Sequence, residues 1–209
     1  MAAIPLDVTW REALRLPAFR WRAVATVPLL AAALSGLAAL VKWVERRPGA
    51  VLADPVLALL EPRDVTWLTF ALIYAGILGA VALLARRPRL LVAGVQAYAI
   101  MALVRMAVMW VTPLDPPPGM IPLEDPLVQR LGGASAVLTR DLFFSGHTST
   151  LFLVSLAVPG PRARPFFLAC TAAVATCVLV QHVHYTVDVL AAPFFAYGAW
   201  RIAARLWPR

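Results

Sequence analysis

Six apolar stretches, each near the length that crosses a bilayer, constrain this chain more than anything else in it. They run roughly over residues 23–43, 66–85, 89–112, 142–158, 166–183 and 185–204, against the ~20 residues a helix needs to traverse the hydrocarbon core. In lipid, backbone N–H and C=O groups must be satisfied within the segment, so such stretches become helices. Hydrophobic residues make up 61% of the 209, more than the roughly half-apolar usage of soluble domains. The expected fold is therefore all-α, a polytopic membrane protein built as a six-transmembrane-helix bundle. The fourth stretch is short and the last two nearly touch, which suits ends that line a polar cavity rather than face lipid.

The net charge is +8, and its distribution says what it is for. Arg11, Arg15, Arg20 and Arg22 precede the first stretch; Arg86, Arg87 and Arg89 fill the second connection; Arg162 and Arg164 lie in the fourth; Arg201, Arg205 and Arg209 close the chain. Only Asp7 and Glu12 offset them, whereas acidic residues outnumber basic ones in the other connections. This alternation is the positive-inside pattern, with both termini cytoplasmic and the odd-numbered connections outside. The basic excess then serves topology and anionic headgroups, and no nucleic-acid partner is expected. The first stretch exceeds a signal-peptide core and lacks a clear small-residue cleavage site, so it is read as a retained helix. Cys170 and Cys177, one heptad apart on one helix, sit ~10 Å from each other, too far for a disulfide.

Residues 1–22 form an N-terminal segment, and residues 23–209 read as a single membrane domain. Thr9-Trp10-Arg11-Glu12 has capping-box spacing. It starts either a short interfacial helix, with Trp10 and Leu14 toward lipid, or a disordered terminus. Two outward connections are long and proline-rich, 44–65 and 113–141. Proline at that density precludes regular helix, and long loops are either functional roofs or inert linkers.

Two motifs carry the chemistry. Ser145-Gly146-His147-Thr148 falls where the fourth helix begins: serine favours the N-cap, glycine lets an oxyanion approach the backbone, and the first-turn amides attract phosphate. His184 and Asp188 are four apart, hence one turn apart on one helical face. The carboxylate fixes one imidazole nitrogen and leaves the other as nucleophile; the competing reading is a polar pair between helices. Arg105, two turns inside the third stretch, is costly in lipid unless paired or beside an anion. It is either a phosphate fork or half of a salt bridge to Asp141 or Asp188. Asp141 holds the loop entering the motif or pairs with Arg105 or Arg140. His182 cannot share a helical face with His184 and is placed in a supporting role. No metal-binding signature such as HExxH is present, and the chemistry calls for no metal or other cofactor.

These residues resemble the type 2 phosphatidic acid phosphatase (PAP2) superfamily. The strings Asp141-Leu142-Phe143-Phe144-Ser145-Gly146-His147-Thr148 and His182-Val183-His184-Tyr185-Thr186-Val187-Asp188-Val189 look like the two signature motifs of its sphingomyelin synthase branch. Arg105, Met109-Trp110-Val111-Thr112 and Pro118-Gly119-Met120 are similar to that family's third-helix exit. The likeness covers about residues 100–200. The broader superfamily's Lys-x6-Arg-Pro motif is missing, Val178 stands where its third motif has arginine, and Thr139 stands where sphingomyelin synthases often have cysteine. The resemblance implies six helices and an outward-facing site, with His184 as nucleophile, Asp188 as its partner and His147 as acid/base. Arg105, Ser145, Gly146, Thr148, Asp141 and Tyr185 are expected around the phosphate. The implied activity moves a phospho-headgroup between lipids through a phosphohistidine. The donor is a membrane phospholipid and the acceptor a lipid alcohol such as ceramide or diacylglycerol. Water as acceptor makes the same site a phosphatase, and a non-catalytic lipid-binding protein is the third reading. Richness in alanine, leucine, arginine and proline points to a GC-rich bacterial genome, hence to the inner membrane.

Overall fold

The structure is a computed structural model that describes residues 8–126 and 138–206; the remainder of the 113–141 connection lies outside the described residues. Among these the regular elements are helical: α1 (Trp10–Arg15), α2 (Pro17–Val44), α3 (Thr66–Leu84), α4 (Pro88–Val111), α5 (Gly146–Ala157), α6 (Ala163–Val180) and α7 (Thr186–Arg205), with one 3-10 turn at Leu57–Leu59. Each of the six apolar stretches contains a helix, and α2, α3, α4 and α6 are long and apolar enough to cross a membrane. The protein is an integral membrane protein of helical class. The 12 residues of α5 rise only ~18 Å, and α7 carries Asp188 and Arg201 within its length.

The helix ends differ from the apolar boundaries for local reasons. Helix α2 starts at Pro17, since proline is pre-organised for a first turn, and it carries Arg20 and Arg22 beyond the apolar run. Helix α5 starts at Gly146 rather than 142. Ser145 caps it, with Oγ accepting from the Thr148 N–H at 3.3 Å, and Phe143 just before it has a φ of 92°. The Thr9 capping box is formed and α1 is helical. Its Trp10 Nε1 donates to the Ala85 carbonyl at 2.6 Å, which holds α1 against the α3–α4 turn.

The loops tie one end of the bundle together. The Ala50 N–H donates to Pro113 O and the Asp115 N–H to Ala50 O, both at 3.0 Å; Arg63 N–H reaches Val180 O at 3.0 Å, and Ile121 N–H reaches Gln181 O at 3.1 Å. A Cβ on residue 49 would lie 2.4 Å from the Leu114 carbonyl carbon, so only glycine lets these two loops approach. The exits of α2, α4 and α6 and the starts of α3, α5 and α7 therefore share one end, and the arginine-rich turns share the other. Exposed Trp43, Trp67 and Trp110 ring the first end, with Trp21 and Trp10 near the second, the arrangement of interfacial aromatic belts. Trp43 stacks on Trp110 at 4.6 Å. Arg47 donates to the Met109 and Trp110 carbonyls at 2.8 Å each, satisfying orphan acceptors at the end of α4.

Helix α4 is central and packs on α2, α5 and α7, whereas α2 and α3 scarcely touch. A stripe of Ala192, Ala196, Ala199 and Ala203 on α7 is buried with Ala97, Met101, Phe144 and Leu153. Small residues at this spacing let helix backbones approach closely in lipid.

Candidate active site

The first turn of α5 and the first turn of α7 are joined through the backbone: the Ser145 N–H donates to the Asp188 carbonyl at 3.1 Å. This bond brings the two sequence motifs to one place. The Ser145 hydroxyl is fully buried and is used by the cap, accepting from the Thr148 N–H and, at 3.1 Å, from the Thr148 hydroxyl. Both side chains hold the turn. The amides that open α5 keep the unpaired donors and positive dipole end of a helix start.

His184 and Asp188 meet, although not on one helical face: His184 precedes the extended Tyr185 N-cap and Asp188 lies in the first turn of α7. His184 Nδ1 lies 3.1 Å from Asp188 Oδ2, which also accepts the Tyr185 N–H at 3.1 Å. The bond fixes Nδ1 and leaves Nε2 outside the pair. The pair is buried, with 3% and 0% of the side chains exposed. Asp188 Oδ1 and His147 Nδ1 are buried without a hydrogen-bond partner among the described residues. Such atoms are scarce in folded proteins because each costs ~1–3 kcal/mol.

Arg105 reaches α5 from α4. Its Nη2 sits 2.7 Å from Asp141 Oδ1, so the salt bridge weighed above is formed with Asp141. Its Nη1 lies so close to the α5 start that a Cβ on residue 146 would come within 1.6 Å of it. A side chain at 146 would therefore displace the guanidinium from its place against the α5 start. A guanidinium and a helix N-terminus, both positive, face the same spot with one carboxylate between them.

Arg105, Asp141, Gly146 and His147 line one cleft of about 240 Å3, whose other walls include Leu37, Ile73, Tyr98 and Met101. The ring of His147 packs edge-on against Phe70 at 6.0 Å. Its electrostatic neighbours include His184, Arg105, Asp141 and Asp125. His184 and Asp188 do not line this cleft; they are buried behind the α5 start. Asp125 accepts a short hydrogen bond from the Tyr74 hydroxyl, and Tyr74 stacks near Phe70 at 5.9 Å.

Two expected residues lie apart. Tyr185, placed by sequence near the phosphate, points into the loops instead: its hydroxyl donates to Asp115 O at 2.9 Å and accepts from the Leu52 N–H at 3.2 Å. Its position as the residue that caps α7 turns the ring away from the α5 start. His182, with a φ of 55°, leaves the helical path. Its Nδ1 faces the Pro118 carbonyl at 3.0 Å and its Nε2 the Leu60 carbonyl at 3.2 Å, so it staples both long connections beneath the loop end.

Sequence reasoning missed the carboxylates that organise this end. Glu45, just past α2, accepts from Thr139 N–H at 3.0 Å, Thr139 Oγ1 at 2.5 Å and Arg140 N–H at 3.1 Å, setting the loop that presents Asp141. Arg140 bonds Asp115 at 2.5 Å, and this hydrogen bond foremost holds the Asp115 carboxyl below its ordinary range. Asp54 accepts from the Thr186 N–H at 2.6 Å, a carboxylate brought by a distant loop to the start of α7. Buried Gln181 donates to the Thr66 hydroxyl at 2.8 Å. None of these stands in a motif; a lone acidic residue just past an apolar span was the signal available for Glu45.

The fold and site define a helical membrane protein with a buried histidine–carboxylate pair beside an arginine-flanked helix start. Residues 140–205 match the family described as PAP2 superfamily C-terminal. The chain is 45% identical over 64 residues to phosphatidylcholine:ceramide cholinephosphotransferase 2 of Macaca fascicularis, and 44% identical over the same length to the proteins of that name from Homo sapiens and Rattus norvegicus. Each alignment covers 28% of this chain and 18% of the relative, so the chain matches less than a fifth of those proteins' length. Over the segment that carries the motifs, these matches support the resemblance to the sphingomyelin synthase-like branch of the PAP2 superfamily.

Proposed function

We propose that this protein is a lipid phosphotransferase that moves a phospho-headgroup between membrane lipids through a phosphohistidine on His184. The observation that carries the reading is the Ser145–Asp188 backbone bond. It sets a nucleophile–carboxylate pair behind a helix start that is built for phosphate and flanked by Arg105. The phosphate binds at the Gly146 and His147 amides, and Arg105 balances charge on its equatorial oxygens. His184 Nε2 attacks phosphorus and forms the P–N bond. The P–O bond to the diacylglycerol alkoxide breaks, and His147 as imidazolium protonates that oxygen. Asp188 holds Nδ1–H and stabilises the phosphoimidazolium. The acceptor hydroxyl then loses its proton to His147, attacks phosphorus and frees His184, so both histidines end as they began. Acid/base help of this kind contributes ~10²–10⁴ in rate.

The donor headgroup in this reading is zwitterionic. The Phe70 ring packs edge-on against His147, Tyr74 stacks on Phe70, and the Tyr74 hydroxyl bonds Asp125, a carboxylate with aromatic faces suited to an alkylammonium. The names of the relatives, which pair phosphatidylcholine with ceramide, agree with that chemistry. The membrane placement belongs to the same proposal: α2 to α7 all cross or enter the bilayer, the arginine-rich end with both termini is cytoplasmic, and the site opens to the outer leaflet of a bacterial inner membrane.

Purified protein in vesicles, given phosphatidylcholine labelled in its headgroup with and without ceramide or diacylglycerol, tests this. A new labelled phospholipid that depends on the added alcohol is the expected result. Release of water-soluble phosphate or phosphocholine alone makes water the acceptor and the protein a hydrolase. No turnover of any phospholipid overturns the enzyme reading.

A further inference from the structure

Below the cleft a second space of about 290 Å3 runs toward the arginine-rich end. It shares the wall residues Ile77, Tyr98 and Thr150 with the cleft, so the two adjoin. Its walls come from four helices, with Leu34 on α2, Val81 on α3, Gly94 on α4 and Val154 on α5 among them. No charged residue lines it, and the Thr150 hydroxyl is already spent on the Gly146 carbonyl at 2.7 Å. Leu34 and Val81 are 41% and 51% exposed. Since α2 and α3 scarcely touch, the space opens sideways at the depth of lipid tails. Its far end is closed by Leu84, Leu91 and Ala157, which belong to a packed cluster with Val158 and Phe167.

We propose that this groove holds one acyl chain of the donor phospholipid, entered laterally between α2 and α3, and that its closed end limits the chain length the enzyme accepts. This rests on the phospholipid donor proposed above. The helical rise from Gly146 to Ala157 is ~16 Å, about one leaflet of the ~30 Å hydrocarbon core. A chain whose phosphate sits at the α5 start therefore runs the groove and stops at the Leu84–Ala157 floor. Gly94 keeps the path open. A Cβ there meets only the Ala157 Cβ, at 3.5 Å, so a larger side chain projects into the space.

The test uses the full-length protein in vesicles with two readouts. The first is kcat/KM over phosphatidylcholines of graded acyl length, for the wild type, Gly94→Leu and Val81→Trp, with Leu78→Trp as control on an exposed α3 position outside the groove. Val81→Trp enters from the lipid side and keeps the test valid if Gly94→Leu fails to fold. Both groove variants are expected to favour shorter chains, with the longest-to-shortest ratio falling on the order of tenfold, as for one or two methylenes denied burial. Leu78→Trp keeps the wild-type profile. The second readout, independent of turnover, is photolabelling by a phosphatidylcholine with a diazirine at the end of one chain. Label is expected on the facing residues of α3, α4 and α5 and lost in Val81→Trp. Turnover with label spread over the outer surface, or an unchanged length profile in both groove variants, overturns the groove proposal. Groove labelling without any turnover leaves the groove standing and removes the enzymatic reading instead.

Discussion

The covering helices α2 and α3 and the packed set α4–α7 are built on different terms. In their most apolar windows α2 is 17% buried and α4 44%, with α3 at 33% and α6 at 28% between them. The packed set contains both motifs, Arg105 and the alanine stripe that draws α7 against its neighbours. The covering pair faces lipid with large side chains; α2 packs along α4 and α3 along α6, and hydrogen bonds tie the pair to the packed set at the loop end. A reacting centre needs side chains held to fractions of an ångström, and close helix packing supplies that. The lipid substrate proposed above needs a wall it can pass, and two helices that hardly touch would supply that.

If the chemistry belongs to the packed set, the largest losses come from its histidines. His184→Ala is expected to abolish headgroup transfer. His147→Ala is expected to lower it by ~10²–10⁴, with both proteins still inserted and folded. Capture of 32P on protein as an acid-labile adduct, present in wild type and absent in His184→Ala, checks the step directly. Near-normal turnover in His184→Ala breaks the comparison at its root.

Gly146→Ala is the next sharpest change. The added Cβ would fall 1.6 Å from Arg105 Nη1, so either the guanidinium leaves or the α5 start shifts. Overpacking of this kind costs typically ~1–3 kcal/mol, and the expected loss of kcat/KM is about 10²-fold. Thermal unfolding beside the kinetics separates the two: a small loss of stability with a large loss of rate places the effect on Arg105.

How legible this was in the sequence follows the same division. The apolar runs located α2 to α7 because an apolar segment satisfies its backbone most simply as helix. The four-residue step from His184 to Asp188 pointed to their contact, but His184 precedes the extended Tyr185 N-cap, so the bond is made across the start of α7 and not along one helical face. The α5 start was displaced from 142 to 146 because capping at Ser145, not hydropathy, decides where that helix begins. Tyr185 was misplaced and Glu45, Asp54 and Gln181 were missed for one reason. Each acts across more than fifty residues of sequence, through loops whose paths depend on close approaches such as Gly49 on Leu114. No local pattern encodes them.

Glu45 tests whether the covering pair matters to the site at all. It stands at the end of α2, yet it receives two backbone N–H groups from the loop that carries Asp141. Glu45→Ala leaves those donors unmet, at ~1–3 kcal/mol, and lets the Asp141–Arg105 pair drift. A fall in kcat/KM of about tenfold is expected, partly restored in Glu45→Gln, which retains an acceptor. Full activity in Glu45→Ala would make α2 a wall and nothing more.

The smallest expected effect is a pH dependence at Asp54, where the α2–α3 connection meets α7. Burial raises its pKa, but hydrogen bonds from the Thr186 N–H, the Leu57 N–H, the Thr186 hydroxyl and the Val56 N–H outweigh burial, and the folded value lies below the ordinary 3.8. A depressed carboxylate pKa means that the unfolded chain binds the proton more readily. The stabilisation is therefore complete above the unfolded value and is lost as pH falls through the folded one. At neutral pH Asp54→Asn should lower stability by about 0.3–1 kcal/mol, the scale of a charge at a helix start. The gap between wild type and variant should close as pH falls below about 4, read as melting temperature in one detergent across pH. A gap that persists unchanged at acid pH would show that Asp54 acts on α7 as a neutral cap, and that the covering pair touches the packed set there by shape and hydrogen bonding without charge.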